Sequence, residues 1–316
     1  MGLIVAALAA LPYIANDRYL LSLLISVFIF AIFAVSFDLL MGYTGIISFG
    51  HALFFGGGTY LAIMLARYAH VSFWLTLALV PLMALVLALM VGALSLRVKG
   101  VYFAMVTMAF AEFFRILAEK FSNFTGGSDG LAVQVAPDWV YGPRHRLALY
   151  MLVLAFSVIL YLVTRRVTHS PFGRVLLAIR ENEQRTSMLG YNVFLYKLGA
   201  LVLAGVIASF AGVMYAVSEN FVVPVVLGTE TTINAMLMTI IGGAGTLGGP
   251  LLGAAIVKLL GVVLSSYTER WRLVLGILYG VIVIFLPQGL AGLRWPWRTK
   301  REAGSSSAGS GVRPAA

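Results

Sequence analysis

Long apolar blocks separated by short polar gaps run the length of this chain. A helix that crosses a bilayer needs about 20 mostly apolar residues. Residues 19–41, 72–96, 100–118, 147–164, 194–217 and 273–291 each supply such a block, the second of them with Pro81 as its one possible kink. Residues 1–14 and 52–68 are weaker blocks of the same kind. The first lacks the basic start of a signal peptide and a second block follows almost at once, so it reads as a membrane helix. Residues 232–264 are too long and too rich in glycine for one ordinary span. The pattern predicts an all-α, polytopic integral membrane protein with about 8–10 transmembrane helices, some of them glycine-broken or re-entrant. Residues 1–293 form its membrane domain, and 294–316 a basic tail whose end, EAGSSSAGSGVRPAA, has no apolar face and is expected to be disordered.

Charge gives the predicted helices a direction. Arg165, Arg166, Arg174, Arg180 and Arg185 fall in one gap, Arg294, Arg298, Lys300 and Arg301 follow the last block, and Arg97 and Lys99 share a tight turn. Lysine and arginine favour the cytoplasmic side, so these three regions are expected inside, the C-terminus included, and the loop 121–146 outside despite its Arg144 and Arg146. Parity then requires residues 232–264 to enter and leave by the same face. They form either a re-entrant hairpin or two short helices meeting at GGAGTLGGP, residues 242–250.

Composition narrows the chemistry. The chain is 61% hydrophobic and 11% charged, where a soluble domain is nearer half apolar and a quarter charged. Its mean hydropathy is +0.97. The net charge of +10 is spread over the gaps, not pooled in a patch, which argues for membrane topology and against nucleic acid. No cysteine is present, so disulfides, thiolate metal sites and cysteine nucleophiles are excluded. His51, His70, His145 and His169 have no metal-ligand spacing, and neither a metal nor any other cofactor is expected.

Two glycine-broken regions, one in each half, are the best pointer to a transporter's central site. The first holds Gly42, Tyr43, Thr44, Ser48, Phe49 and His51, and the second Gly242, Gly243, Gly245, Gly248 and Gly249, with Asn234 on its flank. Tyr43, Thr44, Ser48, Phe49, His51, Asn234 and those five glycines of the second break are the candidates for lining a translocation path. Small-residue helix packing is the competing reading for any single glycine. His51 by itself reads as hydrogen-bonded packing, and Asp38, at the inner end of its span, as an interfacial anchor. Glu112 lies three residues before Arg115 and reads first as half of an ion pair on one helix face. It also stays among the pathway candidates, as the carboxylate an ion-coupled carrier would need.

The gap 165–193 has its own helical grammar. Ser170 reads as an N-cap with Pro171 at the first helical position, and Gly190 can close the far end in the left-handed conformation. Phe172, Val175, Leu176 and Ile179 make one apolar stripe, followed by the polar run Arg180, Glu181, Asn182, Glu183, Gln184 and Arg185. The expectation is one capped helix of about 18 residues outside the membrane. It is either an interfacial connector or a surface on which a cytoplasmic partner docks. No phosphate-binding G-x-x-x-x-G-K-[ST] occurs, so the chain has no ATPase motif of its own.

Six segments, in order over residues 38–293, resemble a known family: GYTGIISFGHALFFGGGTYLA, LRVKGVYFAMVTMAFAE, TGGSDGL, SPFGRVLLAIRENEQRTSMLGYN, INAMLMTIIGGAGTLGGPLLGA and LPQGLAGL. They are similar to the permease subunits of branched-chain amino-acid ABC importers, the LivM type. The resemblance implies a multi-pass subunit of the bacterial inner membrane that carries out no catalysis. Its implied partners are a second homologous permease, two cytoplasmic ATP-binding subunits and an extracytoplasmic solute-binding protein. The implied cargo is a branched-chain or other hydrophobic amino acid, with urea, short-chain amides and aromatic acids carried by related systems. Gly173, Arg174, Arg180, Glu181, Asn182, Glu183 and Gly190 then fall in the element that couples to the ATPase. An ion-coupled secondary transporter is the alternative of another class, since it would share the broken helices.

Overall fold

The long apolar blocks fold as helices of 20 residues or more. Between its end residues α1 (Arg18–Asp38) holds no charged side chain, and it runs on into a π-helical turn, Leu39–Thr44. There follow α2 (Ala52–Met64), α3 (Phe73–Ser95), α4 (Val101–Lys120), α5 (Arg146–Thr168), α6 (Pro171–Glu181), α7 (Glu183–Met188), α8 (Val193–Glu219), α9 (Thr229–Gly242) and α10 (Gly248–Tyr267). This computed structural model describes residues 18–137, 139, 140 and 145–267, with short stretches at 6, 8–12, 270, 273–277, 279, 280, 289 and 290. Seven of the described helical segments are long and apolar enough to cross a membrane, which makes this an all-α polytopic membrane protein. The expected spans at 1–14 and 273–291 and the tail after 293 lie wholly or largely outside the described residues.

Helices α1, α2 and α8 form the centre, and α3, α4, α5 and α10 turn wide apolar faces outward. Buried alanines of α8, among them Ala200, Ala204, Ala208 and Ala211, let neighbouring backbones come close. Two hydroxyls tie α2 to α8 across that contact. Ser209 Oγ donates to Phe54 O (2.9 Å) and Thr59 Oγ1 to Gly212 O (3.0 Å). Pro81 is accommodated inside α3 without breaking it.

Two expectations change. Residues 232–264 become the 14-residue α9 and the 20-residue α10, so the second arm is long enough to span and is not a short helix. Residues 170–190 form two helices, not one of about 18 residues. Asn182 leaves the helical conformation (φ −157°, ψ 102°), and its Oδ1 accepts from Arg185 N (2.9 Å) to start α7. An Asx cap inside the polar run competes with helix continuation. At one end of the bundle β1 (Leu131–Ala132) pairs antiparallel with β2 (Phe221–Val222), so the loops after α4 and α8 lie together.

Candidate functional site

The two glycine breaks meet. A Cβ on Gly42, in the π-helical turn after α1, would run into Asp38 Oδ1 and the Gly245 amide, so the α1 break and the α9–α10 loop touch backbone to backbone. Gly245 has φ +83°, a conformation that glycine adopts at no steric cost. Asp38 is fully buried and fastens this contact, its Oδ1 accepting from Gly245 N (2.6 Å) and its Oδ2 from Leu247 N (3.3 Å). It is therefore not the interfacial anchor its position suggested. A buried carboxylate must find donors, and the loop amides supply them. Arg180 reaches in from α6, and its Nη1 donates to Gly42 O. Three segments far apart in sequence thus share one hydrogen-bonded junction.

Around the junction the candidate residues divide. The start of α2 is held by hydroxyls from two other helices, with Phe49 N donating to Thr107 Oγ1 (3.2 Å) and Ala52 N to Thr232 Oγ1 (2.9 Å). These bonds satisfy amides that a helix start leaves open. His51 is fully buried, its Nε2 2.8 Å from Ser36 Oγ and its ring stacked on Phe33, which fits the packing reading. Tyr43 and Ser48 are buried as well. Thr44 and Phe49 line a cavity of about 540 Å³ together with Lys99, Ile179, Arg180, Glu183 and Lys197. Gly242, Gly243 and Gly249 are buried in the α9–α10 turn, with Gly245 and Gly248 partly open. Asn234 lies away from the junction, on another cavity. Glu112 is also remote from the junction, pairing with Arg115 (2.6 Å) and accepting from Thr229 N (3.2 Å) and Oγ1 (2.9 Å), which ties α4 to the start of α9. Arg115 is shared with Glu119.

Segment 165–193 lies against the same end of the bundle. Leu176 and Ile179 of its predicted stripe are buried, with Phe172 and Val175 half-buried beside them. Gly173 packs on the Thr168 backbone, and Gly190 takes φ +88° at the far end. Glu183 bridges Lys99 (3.0 Å) and Lys197 (2.8 Å). Burial pushes its carboxyl up, but the hydrogen bonds from Lys197 and Lys99 outweigh this and hold it below its ordinary range. Arg174, Glu181 and Asn182 are exposed, as are Met188 (85%) and Leu189 (72%) at the end of α7. This apolar pair is a feature the sequence reading passed over, although two large apolar residues beside Gly190 are visible in it.

Sequence reasoning also missed Lys258. It lies ten residues past Gly248 in α10, about 15 Å along the helix axis and so near mid-membrane depth. Its Nζ sits 3.3 Å from the centre of the Phe30 ring, on a cavity of about 440 Å³. A charged residue at a helix centre costs about 2.5–3.5 kcal/mol on insertion scales. A cation–π contact returns roughly 0.5–2 kcal/mol. The rule that intramembrane charges mark function would have found it, as the lone lysine of GAAIVKLLG.

The family model for the branched-chain amino acid transport system permease component matches residues 19–286. The chain belongs to this family. It is 27% identical over 292 residues to the high-affinity branched-chain amino acid transport system permease protein LivM of Escherichia coli (strain K12), covering 85% of this chain and 69% of that one. A probable branched-chain amino acid transport permease protein LivM of Methanocaldococcus jannaschii is 27% identical over 233 residues, 68% of each chain. The LivH permease protein of Escherichia coli (strain K12) is 22% identical over 286 residues, 83% of this chain and 91% of that one. No solved structure matches the chain at a significant level. This permease is accordingly a multi-pass transport subunit, of a family that is not enzymatic in itself. The match spans the whole junction, from Asp38 and Gly42 through Arg180 to Gly245.

Proposed function

We propose that this permease forms the solute pathway of an ATP-driven importer for branched-chain amino acids in a bacterial inner membrane. It works beside a second, homologous permease, two ATP-binding subunits on the cytoplasmic face and a solute-binding protein on the other. The cargo follows from the relatives, which are permeases for branched-chain amino acids. Residues 1–293 are the membrane unit, with 165–193 and the basic tail 294–316 on the cytoplasmic side by their lysine and arginine content.

The observation that carries this reading is the Arg180 bridge. One side chain of a segment outside the spans holds the break in α1, where that break meets the α9–α10 loop. A push on α6 is therefore felt at the place where two membrane helices are interrupted. Arg174, Glu181 and Asn182 are exposed with Met188 and Leu189, free to meet an ATPase, while the guanidinium of Arg180 reaches in to Gly42 and Glu183 is tied to Lys99 and Lys197. The pathway runs past Thr44 and Phe49 at the inner cavity, with Tyr43, Ser48, His51 and the second-break glycines packed around it. Glu112 is a structural tie, which weakens the ion-coupled alternative, since that carboxylate was its candidate.

The test is uptake of labelled leucine into proteoliposomes. The complete complex is expected to concentrate leucine only with ATP, and the permease alone to do neither that nor hydrolyse ATP. ATP-driven uptake by this chain alone overturns the reading, and uptake driven by a proton or sodium gradient replaces it with the ion-coupled one.

A further inference from the structure

The outer cavity around Lys258 is built unlike the rest of the bundle. Its walls come from α1 (Phe30), α2 (Phe55), α8 (Tyr215) and α10 (Val257), with Tyr279 beyond. It opens toward the end that carries β1 and β2, through Val223 and Val225. Toward the junction it is closed, because Phe33, Phe37 and His51 are fully buried between Phe30 and Asp38. At about 440 Å³ it falls within the size range of small-molecule sites.

Its polar groups are few and uncommitted. Among the described residues no carboxylate lies within ion-pair distance of Lys258, whose contact is the face of Phe30. The Asn234 amide and the Tyr215 hydroxyl line the same space, and no described residue hydrogen-bonds them. Thr231 and Ser265 differ, since their hydroxyls are spent on Val225 O and Val262 O. An ammonium held in an aromatic chamber, with a spare amide and phenol, is complementary to one kind of molecule.

We infer that this cavity binds a small carboxylate with an apolar body: Lys258 takes the carboxylate, Asn234 and Tyr215 bond its remaining valences, and Phe30, Phe55 and Tyr279 enclose the apolar part. The inference rests on the transport reading and deepens it. It assigns a cargo-selecting site to the permease itself, and it favours amino acids and aromatic acids over urea and neutral amides. A neutral solute leaves the ammonium unanswered. Glu219, whose charge also reaches Lys258, is the rival internal counter-ion.

The test is equilibrium binding of labelled leucine to the full chain in phosphatidylcholine nanodiscs. Saturable binding is expected, displaced by 4-methylvalerate, which keeps the carboxylate, and not by leucinamide or urea. Lys258→Met is expected to weaken it by roughly tenfold or more, the scale of one lost charge-assisted contact, and Lys258→Arg to retain most of it. Tyr215→Phe and Asn234→Ala give smaller losses that do not depend on how Lys258→Met folds. No binding by the wild type, equal competition by leucinamide, or full binding by Lys258→Met overturns the site. So does loss of binding in Glu219→Gln equal to that in Lys258→Met, because the lysine is then a structural counter-ion. If phosphatidylglycerol in the nanodisc displaces leucine and shields Lys258 from an amine reagent, the cavity is an anionic-lipid site instead. A complex whose KM for leucine is unchanged by Lys258→Met overturns this site alone, whereas a wild-type complex that imports nothing overturns the transport reading.

Discussion

Helix α10 begins in one polar region and passes through another, and the two are furnished in opposite ways. At its start, around Gly248, the carboxylate of Asp38, the amides of Gly245 and Leu247, the guanidinium of Arg180 and the carbonyl of Gly42 are matched donor to acceptor. About 15 Å further on, Lys258, Asn234 and Tyr215 stand round a cavity with valences unmet among the described residues. Both regions place charge where it is expensive, Asp38 by burial in the protein and Lys258 by its depth in the bilayer. The first uses it to fix a geometry, because a satisfied buried network has one arrangement and resists others. The second keeps it available, at a cost in stability that a bound anion can offset. A transporter needs both: joints that hold while the helices they join shift, and a chamber that stays incomplete until cargo arrives.

The contrast predicts opposite signs for removing charge. Asp38→Ala is expected to lower stability by about 2–5 kcal/mol, since it strands the amides of Gly245 and Leu247. Asp38→Asn keeps one acceptor and should lose less. Thermal melts in detergent read this directly, and wild-type melting of Asp38→Ala would mean the junction is not the joint described.

Gly42→Ala drives a methyl group into Asp38 and the Gly245 amide, an overpacking cost of about 1–3 kcal/mol. Leucine uptake by the complex is expected to fall to background even where the protein still inserts. Full uptake would show that the two breaks can part without consequence.

Lys258→Met removes an ion from mid-membrane and gives back its contact with Phe30. The net is a gain of about 1–2 kcal/mol in stability, with the loss falling on binding. A clear destabilisation would place the lysine with Asp38, as part of the scaffold.

The smallest effect belongs to Glu183, at the joint between segment 165–193 and the bundle. Its folded pKa lies below its ordinary value of about 4.3, so its pairing with Lys99 and Lys197 is intact above that range and lost as pH falls through the lower folded value. Partly exposed pairs contribute about 0–1 kcal/mol each. Protease cutting within residues 182–192 is expected to be flat from pH 7 to 5 and to rise only once pH falls below the ordinary glutamate value. In Glu183→Gln it should start high and change little over the same range. An identical profile for both proteins would detach Glu183 from this joint.

Much of the architecture was legible in the sequence, and the reasons differ by element. Blocks such as 194–217 announce their helices because nothing but a helix satisfies an apolar backbone in lipid. Ser170 with Pro171, and Gly190, marked the ends of the helical stretch 170–190 correctly, since caps are local chemistry. The break at Asn182 was equally local and was misread, because a run of polar residues that suits a helix also contains its competitor. Asp38 was misread for another reason. Position along a span says how deep a residue lies, but not which loop comes to meet it.

That distinction divides the whole molecule. The sequence by itself determined that the chain spans a membrane, that two of its apolar segments are interrupted, and that a capped amphipathic segment lies between blocks. These are matters of composition and of contacts a few residues apart. Only the tertiary structure decided that Gly42 meets Gly245, that Arg180 and Asp38 serve one junction, and that Lys258 sits over the Phe30 ring. Those pairings join residues 138 and 207 apart in the chain, in the case of Arg180 with Gly42 and Asp38 with Gly245. No periodicity or spacing carries them. They are selected by which helix faces pack closely enough to leave a buried charge with a partner, or without one.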